Sequence, residues 1–224
     1  MKKQVKMRIV DSCGDYEKEE IFYQHYFIQL LSKKYDIIYS DQPDFIIYGV
    51  CGSKHLDYDC VRIFYTPENI RANWDIADYS MDFDYLDYGD RHLYIPYIHT
   101  LQQKPNLSKT REIREKTKFC GFVVSNGTVQ SRNIFFEKLS QYKKVDSGGK
   151  YKNNIGGRVG NKIEWLRDYK FNICFENSSN PGYLTEKLFD AYAAGCVPIY
   201  WGDTSLRCQK DTSKSIAGGG GGNP

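Results

Sequence analysis

Between Tyr169 and Gly202 the chain reads YKFNICFENSSNPGYLTEKLFDAYAAGCVPIYWG, and this stretch constrains the fold more than any other. Phe171 to Phe175 is a short apolar run of strand type, and a polar loop containing Gly and Pro follows it from Glu176 to Gly182. In LTEKLFDAYAAG, Leu184, Leu188, Ala191 and Tyr192 recur at helical spacing, and Gly195 stands where helices commonly end on a left-handed residue. Val197 to Trp201 reads as a second buried strand. Strand, helix and strand in that order predict a βαβ unit with its two strands parallel.

In such a unit the loop after the first strand lies at the carboxyl edge of the sheet, where ligands bind. A helix opening there offers unpaired N–H groups and a partial positive charge, a seat for phosphate. Glu186 complements the dipole of that first turn, whereas Lys187 opposes it. An anion held by both the helix end and Lys187 would remove the conflict. Read alone, Lys187 is equally a solvated surface lysine.

The remaining sequence extends the α/β pattern. Val5 to Val10, Asp36 to Ser40, Phe45 to Val50 and Val61 to Tyr65 read as strands, and Glu17 to Lys34 as a helix with an apolar stripe of Ile21, Tyr26, Phe27, Ile28 and Leu31. Strand 61–65 runs into Thr66-Pro67-Glu68-Asn69, and the proline leaves Glu68 on a loop at a sheet edge. Asp82-Phe83-Asp84 has the spacing with which some transferases hold a divalent metal, but its acidic, aromatic surroundings favour a structural role. The charged, Pro-containing segment 102–118 is a composition shift that separates two domains, 1–105 and 106–202. In the second, Phe119 to Val124 reads as a strand and Arg132 to Tyr142 as a helix. Arg132 at that helix's N-terminus is another cation out of place unless an anion is present. The Gly-rich segment 147–160 matches no phosphate-loop pattern and reads as a mobile loop.

Composition narrows the classes of function. A net charge of +3 with no long basic block gives nucleic-acid binding little support. No apolar run approaches the length of a membrane span, which predicts a soluble or peripheral protein. Seven cysteines without CxxC spacing, several beside apolar runs, predict buried free thiols in a reducing compartment and no disulfide framework. The four histidines are scattered, and no metal-ligand set or nucleophilic serine elbow occurs.

The strings Tyr169-Lys170-Phe171, Phe175-Glu176-Asn177-Ser178, Tyr183-Leu184-Thr185-Glu186-Lys187 and Val197-Pro198 through Gly202 together resemble the signature of the α1,3/1,4-fucosyltransferases. Tyr65-Thr66 with Glu68-Asn69, and the aromatic and acidic elements from Trp74 to Arg91, continue the resemblance. It covers residues 60–202 well and the first sixty loosely. The resemblance implies a GT-B architecture of two Rossmann-like domains with parallel sheets, residues 1–105 on the acceptor side and 106–202 binding the donor. It implies inverting transfer of fucose from GDP-fucose to the N-acetylglucosamine of a galactosyl-N-acetylglucosamine acceptor, without a metal or other cofactor. Glu68 would be the general base and Glu186 a catalytic carboxylate near the donor sugar, while Arg132, Asn177, Tyr183 and Lys187 would bind the donor. The bacterial type of the family further implies a cytoplasmic protein, peripheral at the inner membrane at most, that decorates lipopolysaccharide or capsule with Lewis-type antigens. After Gly202 the family pattern fades, and 203–224, with five consecutive glycines from Gly218 to Gly222, read as a divergent, disordered tail on a truncated donor domain. Two other readings therefore stay open: a GT-B transferase with a different donor or linkage, and a non-catalytic fragment that binds nucleotide or sugar only.

Overall fold

The structure, a computed structural model, describes residues 2–101 and 115–206. The expected domain boundary at 105/106 and the Gly-rich end lie outside these residues. On either side of that boundary stands one wholly parallel sheet.

The first sheet is built from β1 (Gln4–Val10), β2 (Asp36–Tyr39), β3 (Phe45–Tyr48), β4 (Val61–Tyr65), β5 (Tyr79–Asp82) and β6 (His92–Tyr94), in the order β2-β1-β3-β4-β5-β6. Parallel strands bury both faces, so alternate residues feed two cores. Met7, Ile9 and Ile47 pack on one face with Phe22, Phe27 and Ile28 of α1 (Glu19–Phe22) and α2 (Tyr26–Leu31). Val10, Ile46, Tyr48 and Phe64 pack on the other with Ala77.

Two expectations change here. The single helix over 17–34 is two short helices, because His25 takes an extended backbone (ψ 137°) and tucks its ring among Tyr16, Phe27 and Tyr65. The cysteines are not all free. Cys13 and Cys51, 38 positions apart, form an exposed disulfide with Cα atoms 5.6 Å apart. They follow the adjacent parallel strands β1 and β3, and this pairing brings both loops to the same edge. Cys60, Cys120, Cys174 and Cys196 are free thiols, the last three buried as expected.

The second sheet has the order β10-β9-β7-β8, with β7 (Lys118–Phe122), β8 (Val145–Ser147), β9 (Tyr169–Ile173) and β10 (Val197–Ile199). The helix α3 (Gln130–Tyr142) covers one face, stacking Phe136 on Phe122 at 4.7 Å. The helices α4 (Lys162–Leu166) and α5 (Glu186–Ala193) cover the other around Leu166, Ala191 and Cys196. Strands β9 and β10 pair in parallel, and Gly195 ends α5 at φ +68°, both as the sequence predicts. The Gly-rich segment is not a free loop. Asn154 bridges Ser147 N–H and the Val145 carbonyl at 2.8 and 2.9 Å, and Val159 N–H returns to Gly148.

Candidate active site

In an open parallel sheet, ligands settle beyond the carboxyl ends of the strands where the chain reverses its direction of winding. In the second sheet that point lies between β7 and β9, and most of the expected donor residues gather there. The loop after β9 carries Glu176 and Asn177, and the loop after β7 carries Asn126. Arg132, from α3, closes the gap between them. One terminal nitrogen donates to the Asn126 carbonyl at 2.7 Å, and the other to Asn177 Oδ1 at 3.1 Å and the Phe175 carbonyl at 3.5 Å. Arg132 is only 1% exposed, its Nε is buried without a partner, and burial pulls its pKa below the usual guanidinium range. Its guanidinium therefore sets the two loops and supplies charge from within.

The Lys187 conflict has an internal resolution. The anion beside it is Glu176, which is 0% exposed and accepts from Thr185 N–H at 2.9 Å, Thr185 Oγ1 at 2.6 Å and Lys187 Nζ at 3.1 Å. Lys187 also donates to Thr185 Oγ1 at 2.9 Å, while the Glu186 carboxylate stands 3.6 Å away. Burial works against the ammonium, but Glu176 and Glu186 outweigh it and hold its pKa above the usual lysine value. The ammonium, its side chain 18% exposed, thus stands between two carboxylates. Burial also pushes the Glu186 carboxyl upward, yet Lys187 and Lys162 overcome this and keep it below the usual carboxylate range. Glu186 is thus an anion at neutral pH.

Glu176 is the residue that sequence reasoning missed, although it stands inside the quoted Phe-Glu-Asn-Ser string. The available signal was a carboxylate directly after a buried strand, a place where an ion needs a partner.

Tyr183 is buried and meets Phe83 of the first domain edge to face at 5.2 Å. Burial raises its phenol pKa, and the charges of Glu176, Glu68 and Glu186 add to the effect, so all three stand within electrostatic reach. Beside it Gly182 has φ +83°, and a Cβ there would lie 2.1 Å from the Phe83 carbonyl oxygen. Asn69 donates to Ser178 across the same seam. These contacts bring the loop after β4, with the exposed Glu68, against the loop after β9.

The Asp82-Phe83-Asp84 carboxylates are engaged internally. Asp82 accepts from Ser80, from Asp84 N–H at 2.9 Å and from His92 at 2.9 Å. Asp84 takes a two-pronged contact from Arg71. Among the described residues no cluster of metal-binding side chains forms.

Two parallel α/β sheets meeting at their ligand-binding edges make the GT-B architecture. Similarity to known proteins specifies the family. Residues 8–101 match the alpha-(1,3)-fucosyltransferase FucT N-terminal domain, and residues 113–213 match the glycosyltransferase family 10 (fucosyltransferase) C-terminal domain. The chain is 33% identical to the alpha-(1,3)-fucosyltransferase FucT of Helicobacter pylori over 90% of its own length and 51% of that protein's. It is 35% identical to alpha-(1,3)-fucosyltransferase 4 of Bos taurus over 58% of this chain and 32% of that one. A crystal structure of an alpha1,3-fucosyltransferase with GDP-fucose superposes with a TM-score of 0.75 at 30% identity, covering 91% of this chain and 70% of that one. The chain belongs to glycosyltransferase family 10, the fucosyltransferases. It spans about half the length of the Helicobacter pylori relative.

Proposed function

We propose that this chain transfers fucose from GDP-fucose, with inversion, to the N-acetylglucosamine of a galactosyl-N-acetylglucosamine acceptor. The observation that carries the reading is the convergence of Lys187, Glu186, the α5 N-terminus and the Arg132–Asn177 pair opposite Glu68 across one seam.

The chemistry follows from the charges. As the bond from the fucose anomeric carbon to the GDP oxygen breaks, negative charge grows on the diphosphate. The Lys187 ammonium, the α5 N-terminus and the field of Arg132 stabilise that charge. Glu186, kept ionised, faces the oxocarbenium-like carbon. Glu68, solvated on its loop, takes the proton from the acceptor hydroxyl as that oxygen attacks. A single displacement with the base on one side of the carbon and the leaving group on the other would invert the anomeric centre. We propose that no metal takes part, since Asp82 and Asp84 already have partners. The biological setting we assign is a Lewis-type decoration of bacterial lipopolysaccharide or capsule, made at the cytoplasmic side. Among the described residues no helix is long and apolar enough to cross a membrane.

Calorimetry with GDP-fucose and GDP-mannose tests the donor. Micromolar binding of the fucose compound, about tenfold tighter than the mannose one, supports the reading; equal affinity or none sinks it. With binding in hand, Glu68→Gln should lower kcat by about two to four orders of magnitude with little change in donor affinity. A Glu68→Gln variant that keeps its rate would remove Glu68 from the mechanism.

A further inference from the structure

The last family motif ends at Gly202, and Asp203-Thr204-Ser205 follow it as a turn beyond β10, at the carboxyl edge of the second sheet. The chemistry set out above employs none of the three. Yet Asp203 is only 6% exposed, and a buried carboxylate is costly unless its bonds are made. Its Oδ1 accepts from Gly182 N–H at 2.8 Å, from Ser205 N–H at 2.8 Å and from the Ser205 hydroxyl at 2.5 Å. Its own N–H donates to the Tyr200 phenol oxygen at 2.9 Å. Three of these four bonds close the turn on itself. The fourth reaches 21 positions back, to Gly182.

Gly182 belongs to the loop after β9, and that loop is fastened to the segment after β10 at three successive points. Glu176 N–H donates to the Trp201 carbonyl at 2.8 Å, Ser179 Oγ to the Gly202 carbonyl at 2.6 Å, and Gly182 N–H to Asp203. The first two acceptors are backbone carbonyls, which every residue carries. The third is a side chain, so the residue at 203 decides whether that bond exists. Of the three it is also the closest in the chain to Tyr183 and to the opening turn of α5.

The same turn touches the first domain. Ser205 Oγ lies 3.2 Å from the Tyr85 hydroxyl, and that hydroxyl donates to the Tyr94 hydroxyl at 3.2 Å. The Tyr85 and Tyr94 rings stack at 4.5 Å. Burial raises the Tyr94 phenol pKa, Tyr85 adds to the effect, and the charge of Asp203 contributes from across the seam. One oxygen of Asp203 therefore holds the donor loop on one side and the contact between the domains on the other.

We infer that Asp203 is a positioning residue for the transfer reaction: its carboxylate clasps the donor loop at Gly182 and, through Ser205, sets that loop against Tyr85 of the first domain. The inference rests on the fucosyltransferase reading for the ligand that the loop binds. Two separable effects follow. The Gly182 bond governs how Tyr183 and the α5 N-terminus meet GDP-fucose. The Ser205–Tyr85 contact governs how the first domain, carrying Glu68, meets the bound donor.

The experiment follows amide hydrogen exchange at Gly182 by NMR in the full chain, beside GDP-fucose binding and transfer kinetics, for Asp203→Ala, Asp203→Asn and Tyr85→Phe. In Asp203→Ala the Gly182 amide should exchange about tenfold faster, while the Glu176 amide, bonded to a backbone carbonyl, stays within about twofold. The dissociation constant for GDP-fucose should rise about tenfold in Asp203→Ala and return to within about threefold in Asp203→Asn, whose side-chain oxygen accepts the same bonds. Tyr85→Phe keeps the stacked ring and loses only the hydroxyl, so kcat should fall about fivefold with the GDP-fucose dissociation constant within about twofold. Unchanged Gly182 exchange or unchanged donor affinity in Asp203→Ala overturns the inference, as does an Asp203→Asn variant no better than Asp203→Ala. So does an unaltered kcat in Tyr85→Phe. If Asp203→Ala fails to fold, Gly182 exchange in the unmodified chain decides: it should slow when GDP-fucose binds, and no change overturns the inference. A chain that binds no GDP-fucose but whose Gly182 exchange responds to Asp203→Ala would sink the donor reading and keep the clasp.

Discussion

Glu176 and Lys187 meet at 3.1 Å beneath the candidate donor site, and the carboxylate has no solvent exposure. The pair links the loop after β9 to the first turn of α5, with Thr185 bonded to both partners. A lysine in a helix's first turn opposes the dipole, so Glu176 serves it as a permanent counter-anion.

Removing one partner should cost more than removing both. Lys187→Met leaves Glu176 buried beside Thr185 alone, and we expect a loss of about 3 kcal/mol in urea unfolding. Glu176→Gln combined with Lys187→Met should be milder than Lys187→Met by itself. Equal losses in the two variants would show that the ion pair carries no special weight. The same two variants separate stability from binding, since both lack the ammonium donor and both should lose GDP-fucose affinity.

Gly182 supplies a test of the seam between the sheets. Its φ of +83° disfavours any side chain, and the added methyl would also press on the Phe83 carbonyl. Gly182→Ala should destabilise by about 1–3 kcal/mol and displace Tyr183 from Phe83. The check is chemical denaturation together with the near-ultraviolet signal of the packed aromatics. An unaltered midpoint would mean that the loop can move aside freely.

The βαβ unit around the donor site was legible because its periodicities are local: an apolar strand, a helical stripe from Leu184 to Tyr192 and a terminating Gly195. Strands β1, β3 and β4 were legible to within two residues at their ends for the same reason. Strands β5 and β6 were not. Ser80 and Asp82 point inward on β5, where they bond to each other, and Asp82 also needs His92, ten residues away. Likewise the break at His25 reflects packing against Tyr65, and the burial of Glu176 depends on Thr185 and Lys187. Polar groups buried against distant partners leave no periodic signal. The disulfide escaped for a related reason: the proximity of Cys13 and Cys51 follows from strand order, which composition does not encode.

His25 should leave its mark on stability as a function of pH. Its pKa is lowered by burial to about 4, against an ordinary value of 6.5. Between those values the unfolded chain binds the proton and the folded chain does not. Stability contributed by this group is therefore whole above pH 6.5 and is lost as pH falls toward 4, by on the order of 3 kcal/mol at the limit. Thermal melts of the unmodified chain and His25→Phe from pH 7.5 to 4.5 check this. The unmodified chain should lose Tm more steeply on acidification, and parallel profiles would contradict the burial of the ring.

The Cys13–Cys51 bond makes the last prediction, which bears on where the protein works. The two residues are 38 positions apart, and a cross-link closing a loop of that size stabilises by about 4 kcal/mol through the entropy of the unfolded chain. Cys51→Ser, or reduction, should lower the unfolding midpoint accordingly while the buried thiols Cys120, Cys174 and Cys196 stay unreactive, their pKa values raised by burial. Rapid thiol labelling of the protein in intact cells then separates two cases. Cys13 and Cys51 labelled in the cell and paired only after purification fit the cytoplasmic setting, where thiols are kept reduced. Both cysteines protected from label in the cell would exclude that setting, since an exposed disulfide does not persist against the cytosolic thiol pool.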